Sequence, residues 1–97
     1  MKLAVIILTH NEERHIEECI QSAAFADEIL VIDDMSTDRT AELARAAGMR
    51  VIAHPLAGDF AAQRNFALTQ TDADWVLYVD ADERVCVETE AELRRIM

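Results

Sequence analysis

The 97-residue sequence predicts an α/β fold, a mostly parallel sheet of about four strands with helices on both faces. Three observations carry this. Four short apolar runs, Leu3–Leu8, Ile29–Ile32, Val51–Ala53 and Trp75–Val79, are rich in Val and Ile and do not alternate with polar residues. Such runs suit strands buried on both faces of a parallel sheet. The stretches between them carry helical spacing, and strand and helix repeat three times before the fourth strand, which right-handed crossovers turn into a layered sheet.

The elements follow in order. Leu3–Leu8 is six residues long, too short for a signal-peptide core or a membrane span. In the first helical stretch Ile16, Cys19, Ile20, Ala23 and Ala24 make one apolar face, and Thr9 and Glu12 ahead of it have capping-box spacing. The second helix is expected roughly from Asp38 to Ala47, with Leu43, Ala44 and Ala47 inward, Asp38 as N-cap and Gly48 just past the end. The third follows the Pro55–Gly58 break and runs roughly from Asp59 to Thr69, with Ala62 and Phe66 on one face. A charged helical stretch from Glu88 to Met97 closes the chain without a stop signal. Residues 1–97 therefore read as one unit, cut short inside a larger domain, with no internal repeat.

Composition narrows the function. Hydrophobic residues make up 52% of the chain, and only two Gly and one Pro occur, which fits a folded core. The net charge of −10 argues against a nucleic-acid partner. It leaves room for a nucleotide held through a divalent cation, because carboxylates recruit Mg²⁺ or Mn²⁺ and the ion meets the phosphates. Cys19 and Cys86 lack CxxC spacing and read as reduced thiols in or near the core, in a reducing cytoplasm.

Ligands of open parallel sheets bind at the carboxyl ends of the strands, where strand order reverses. Here Thr9-His10-Asn11-Glu12-Glu13 follows the first run, Asp33-Asp34-Met35-Ser36-Thr37-Asp38 the second, and Asp80-Ala81-Asp82-Glu83 the fourth. His54-Pro55 after the third is a weaker case. Carboxylates gathered on one rim repel each other unless a cation or hydrogen-bonded ligand compensates. Asp38 reads as a cap, and Glu12 and Glu13 read equally as ligand groups or solvated loop acids. Asp80 and Asp82 flank a small residue directly after a buried strand, so both can turn to one ion.

These segments, together with Gln63-Arg64-Asn65-Phe66-Ala67-Leu68 and Trp75 through Glu83, resemble family-2 glycosyltransferases of the GT-A fold, a Rossmann-like three-layer sandwich. The likeness is closest to bacterial enzymes that add glucose or a related sugar to lipopolysaccharide or lipooligosaccharide core, and it runs from Met1 to about Arg84. It implies the nucleotide-sugar-binding half of the domain, ending before the acceptor half. By position it implies Thr9, Asn11 and Glu12 beside the base and ribose, Asp34 on the uracil ring with Asp33 supporting its loop, and Arg64 and Asn65 lining the nucleotide pocket. It implies Asp80 near the ribose or the metal's water, and Asp82 as direct ligand of Mn²⁺ or Mg²⁺ in a DXD motif. The implied donor is a UDP-sugar, UDP-glucose by default, and the implied acceptor a saccharide or lipid-linked saccharide.

The chemistry agrees with these roles. A uracil N–H needs an acceptor, which a carboxylate supplies, and a diphosphate leaving group develops charge that a divalent cation stabilises. Arg64 fits an anion contact or a solvated helix surface, and both readings stand. Inverting members need a base for the acceptor hydroxyl. None of His10, His15 and His54 matches its position, so the chain alone is expected to bind nucleotide weakly and to lack efficient turnover. His15 reads as a surface helix residue and His10 as a rim residue without an assigned role. Any membrane association, at the inner face, would come from outside this segment. The alternatives are a nucleotidyltransferase-like domain, disfavoured because Thr9–Glu13 has no glycine, and a non-catalytic fragment that self-associates through an exposed sheet edge. A receiver-like domain is disfavoured by the place of the Asp pair and by Lys2 being the only lysine.

Overall fold

A computed structural model describes all residues, 1–97. Strands β1 (Leu3–Thr9), β2 (Glu28–Asp33), β3 (Arg50–Ala53) and β4 (Trp75–Asp80) alternate with helices α1 (Ile16–Ser22), α2 (Thr40–Ala46), α3 (Phe60–Leu68) and α4 (Val87–Ile96). The strands form one sheet in the order β3-β2-β1-β4, and every neighbouring pair is parallel. The chain builds outward from β1 to β3 and then returns to place β4 on the other side of β1. Strand order therefore reverses between β1 and β4. No helix is long and apolar enough to cross a membrane.

The unalternated runs have their physical reason in two packed faces. On one, Val5, Ile7, Val31 and Val79 meet Ile16, Cys19, Ile20 and Ala23 of the α1 segment and Ala44 of α2. On the other, Ile6, Leu30 and Ile32 meet Ala67 of α3, with Phe66 and Tyr78 half-buried around them. Residues 4 to 7 are all fully covered, so β1 is the centre of the molecule. Each of Val5, Ile6 and Ile7 stabilises the fold by about 1.5–3 kcal/mol relative to exposure. α4 buries none of its residues.

Several local expectations are corrected. The Thr9–Glu12 capping box does not form, because the β1 ladder carries on through Thr9, which pairs with Asp33. α1 instead starts at Ile16 behind His15, which makes no side-chain cap bond. Asp38 is not the N-cap of α2, a position held by Arg39; its carboxylate accepts the Thr40 N–H and hydroxyl and so braces the turn ahead of the helix. Ala24 and Ala47 face solvent, since the short helices end before either could turn inward. In α3 the inward residues are Gln63 and Ala67, with Ala62 exposed. Cys19 is buried as expected, while Cys86 is exposed just ahead of α4. Gly48 does follow α2, at φ +83°, with its N–H on the Arg45 carbonyl and the Met49 N–H on the Ala44 carbonyl. Those two bonds make a Schellman motif.

Candidate functional site

The β1/β4 switch point opens into a cleft of about 360 Å³. Leu8, Thr9, His10, Glu12, Asp34, Leu56, Phe60, Gln63, Asp80, Ala81 and Asp82 line it. Register explains the gathering. Leu8 lies beside Asp80 and Thr9 beside Asp33, so two acidic strand ends flank the end of β1. The ladder reaches one residue further, with the Asp34 N–H on the Thr9 carbonyl at 2.8 Å and the Ala81 N–H on the Leu8 carbonyl at 3.1 Å.

The loops after β1 and β2 are sewn together. Asn11 Oδ1 accepts the Thr37 N–H at 2.8 Å and the Asp38 N–H at 3.3 Å, and the Asn11 N–H donates to Ser36 Oγ at 2.8 Å. Ser36 Oγ donates to Asp33 Oδ1 at 2.5 Å. The Glu12 N–H donates to Thr40 Oγ1 at 2.9 Å, and the Glu13 N–H to Asp38 at 3.2 Å. Burial pushes the Asp38 carboxyl up, but the Thr40 hydroxyl and N–H and the Glu13 N–H outweigh it and hold the carboxyl below its ordinary value. Asp33, 3% exposed, accepts the Ser36 N–H and hydroxyl and so belongs to this seam.

Asp34 stands between two loops. Its Oδ1 accepts the Leu56 N–H at 2.9 Å, and its Oδ2 lies 3.8 Å from His10 Nδ1. His10 Nδ1 also lies 2.5 Å from the Asp34 carbonyl, which can only accept, so that nitrogen carries the proton. The loop after β3 is braced at its base. Gln63 Nε2 donates to the His54 carbonyl at 2.7 Å, His54 Nδ1 donates to Gln63 Oε1 at 2.6 Å, and the His54 ring stacks on Phe66 at 3.7 Å.

Three non-glycine residues adopt positive φ: Asn11, Met35 and Ala57. Each sits in the loop that follows β1, β2 or β3, around the cleft. Such conformations cost on the order of 1 kcal/mol each and gather where a site needs the backbone held in place. Thr9 Oγ1 is a further tension: the residue is 6% exposed and the hydroxyl has no hydrogen-bond partner.

At the β4 end the carboxylates lack cationic partners. Partial desolvation pushes the Asp80 carboxyl above its ordinary value; Glu83 and Asp82 push the same way, and Arg64 opposes them. The Asp80 N–H donates to Glu83 Oε1 at 2.7 Å, so Glu83 is spent on the turn. No three His, Cys, Asp or Glu side chains converge to hold an ion by themselves. The donor set fits a hard cation that takes one or two carboxylates and completes its shell with phosphate oxygens and water.

Of the residues singled out in the sequence, Thr9, Glu12, Asp34, Asp80 and Asp82 share the cleft. Asn11 and Asp33 stand behind it in the loop seam. Arg64 and Asn65 lie on exposed turns of α3 outside the lining, with the Arg64 guanidinium 5.9 Å from the Tyr78 ring centroid. Leu56, Phe60 and Gln63 were missed. Their signal was the Pro55–Gly58 break directly after the third strand, since every βα loop of a parallel sheet opens on the same rim.

The family model for Glycosyl transferase family 2 matches residues 4–89. The lipopolysaccharide core biosynthesis glycosyltransferase LpsC of Rhizobium meliloti is 38% identical over 90 residues, covering 88% of this chain and 33% of LpsC. The crystal structure of Staphylococcus aureus TarS in complex with UDP superposes with a TM-score of 0.76 at 31% identity, over 96% of this chain and 31% of that one. Glucosyl-3-phosphoglycerate synthase from Mycobacterium tuberculosis, in complex with Mn²⁺, UDP-glucose and phosphoglyceric acid, gives 0.73 at 29% identity, over 82% of this chain and 33% of that one. The chain spans about a third of the length of the curated relatives it matches.

Proposed function

Because the chain belongs to glycosyl transferase family 2, we propose that its cleft binds the nucleoside diphosphate of a UDP-sugar and that the intact protein transfers the sugar to a saccharide or lipid-linked saccharide acceptor. One observation carries this reading: a single cleft at the β1/β4 switch point holds Asp34 on the β2 side and Asp80 and Asp82 on the β4 side. Asp34 keeps an oxygen for a ring N–H of the base. Thr9 Oγ1, buried and unpartnered, donates to or accepts from the same ligand. Glu12 lies on the same wall, and Asn11 and Asp33 hold the loops that carry these groups. Arg64 and Asn65 reach the nucleotide only if the ligand extends past the cleft toward the exposed face of α3.

Asp82 and Asp80 would hold Mn²⁺ or Mg²⁺. When bound, such an ion neutralises the charge that develops on the departing diphosphate. The chain's own part is to aim both carboxylates from the end of β4 and to exclude a third protein ligand, which leaves positions for phosphate oxygens. Inverting transfer of glucose in lipopolysaccharide core synthesis is the specific activity proposed, on the likeness to LpsC and to the UDP-glucose complex. The acceptor's base is assigned to the part of its relatives' length that this chain does not span.

Calorimetric titration with UDP, with and without Mn²⁺ and against GDP and ADP, tests the reading. Binding selective for UDP and strengthened by Mn²⁺ is expected, and Asp82→Ala should abolish the metal-dependent part. An Asp82→Ala variant that binds UDP and Mn²⁺ as tightly as its parent would sink the assignment.

A further inference from the structure

We propose that Phe60, backed by Leu56, is the face on which the base ring of the nucleotide packs, and so a residue that sets affinity for the nucleotide; this rests on the donor reading above. Of the large apolar side chains that stand exposed, Met1, Met35, Phe60, Leu68, Val87 and Ile96, Phe60 is the one that lines the cleft. It is 59% exposed, an aromatic ring left open in a cavity whose charged walls are Glu12, Asp34, Asp80 and Asp82. A ligand that covers it must bring an apolar planar face as well as groups that satisfy carboxylates. The backbone beneath the ring is fixed before any ligand arrives. Asp59 accepts the Ala62 N–H at 3.0 Å, the Asp59 N–H donates to the Leu56 carbonyl at 3.0 Å, and the His54–Gln63 pair latches the loop to α3. A wall held in this way loses little freedom on binding.

Asp34 ties the wall to base recognition. Its Oδ1 holds the Leu56 N–H, so the acceptor for a ring N–H and the apolar face sit on one braced loop pair. A ring whose edge meets Asp34 is brought against the side that Leu56 and Phe60 form. Stacking of a base on an aromatic side chain is sensitive to loss of the ring.

The experiment titrates the parent and the Phe60→Ala, Phe60→Leu and Phe60→Tyr variants with UDP in the presence of Mn²⁺, alongside a thermal melt of each. Phe60 is exposed, so the melting temperatures should agree. Phe60→Tyr should keep the parent's affinity, while Phe60→Leu and Phe60→Ala should weaken it roughly five- to a hundredfold. Phe60→Ala binding UDP as tightly as the parent, or Phe60→Leu binding as tightly as Phe60→Tyr, would overturn the proposal and leave the donor reading intact. A parent chain that binds no UDP would overturn both.

Discussion

At Thr9 the stability of the fold and the proposed donor site make opposite demands on one side chain. Its hydroxyl is buried without a partner, which costs about 1–3 kcal/mol. Replacement by valine keeps the β-branched shape and removes the unpaired group. Thr9→Val should melt at or above the parent's temperature, yet bind UDP roughly two- to tenfold more weakly, the worth of one hydrogen bond. A variant that loses stability and keeps its affinity would place the hydroxyl in the fold and not in the site. The two cysteines make a second residue-scale contrast. Burial pushes the Cys19 thiol up to about 11, with Arg84 opposing and the nearby carboxylates adding, so it stays protonated and inert at neutral pH. Cys86 is exposed. Titration with a thiol-reactive chromogen should find one fast thiol in the native protein and the second only after denaturation; two fast thiols would contradict the packing of α1 on β4.

At the scale of elements, the helices are short and depend on how they end. Gly48 closes α2 at φ +83°, and a Cβ added there would meet nothing within 4 Å. Gly48→Ala therefore meets a backbone penalty and no clash, and should lower stability by about 1 kcal/mol, measurable by urea denaturation. A neutral result would mean that α2 ends otherwise in solution. The fraction of structure visible in advance differs by element. The four strands were legible to within one residue at either end, because β1 and β2 are covered on both faces and cannot alternate. The starts of α3 and α4 were legible to within one residue as well, but those of α1 and α2 were not. Thr9 and Glu12 match a capping box by spacing, but the ladder on β2 takes Thr9 first, and Asp38 bonds the turn instead of the helix. Gln63 was passed over in α3 because a polar residue inside a helix face signals exposure until its partner, His54 from another element, is known.

For the whole molecule, charge is the governing quantity. The chain carries −10, and Glu12, Asp34, Asp80 and Asp82 share one cleft at the carboxyl end of the sheet. Asp80 binds its proton more tightly folded than unfolded, since partial desolvation, Glu83 and Asp82 raise its value above 3.8. Its contribution is thus most favourable while it is protonated and is lost as pH rises through the raised folded value. Asp38 and Asp72 run the other way: their lowered values stabilise the fold above 3.8, and that support is lost as pH falls through them. Asp80→Asn should therefore melt higher than the parent at neutral pH, with the gap closing as pH falls toward the ordinary carboxylate value. A gap that is constant with pH, or reversed, would show that Asp80 is not under strain.

The sequence by itself determined the strands, the parallel layering and the identity of the acidic strand ends, because these follow from local patterns: unbroken apolar runs, helical spacing, and polar residues where each run stops. It also carried the family likeness, since the motifs lie in contiguous segments. Only the tertiary structure decided which of those residues share a cavity. Strand order put the end of β1 between Asp33 and Asp80, bonds to Ser36, Thr37 and Asp38 engaged Asn11 in the loop seam, and the bond from Leu56 to Asp34 drew the loop after β3 to the cleft. Those are contacts between residues more than twenty positions apart, and they depend on which strands lie side by side, which no local spacing encodes.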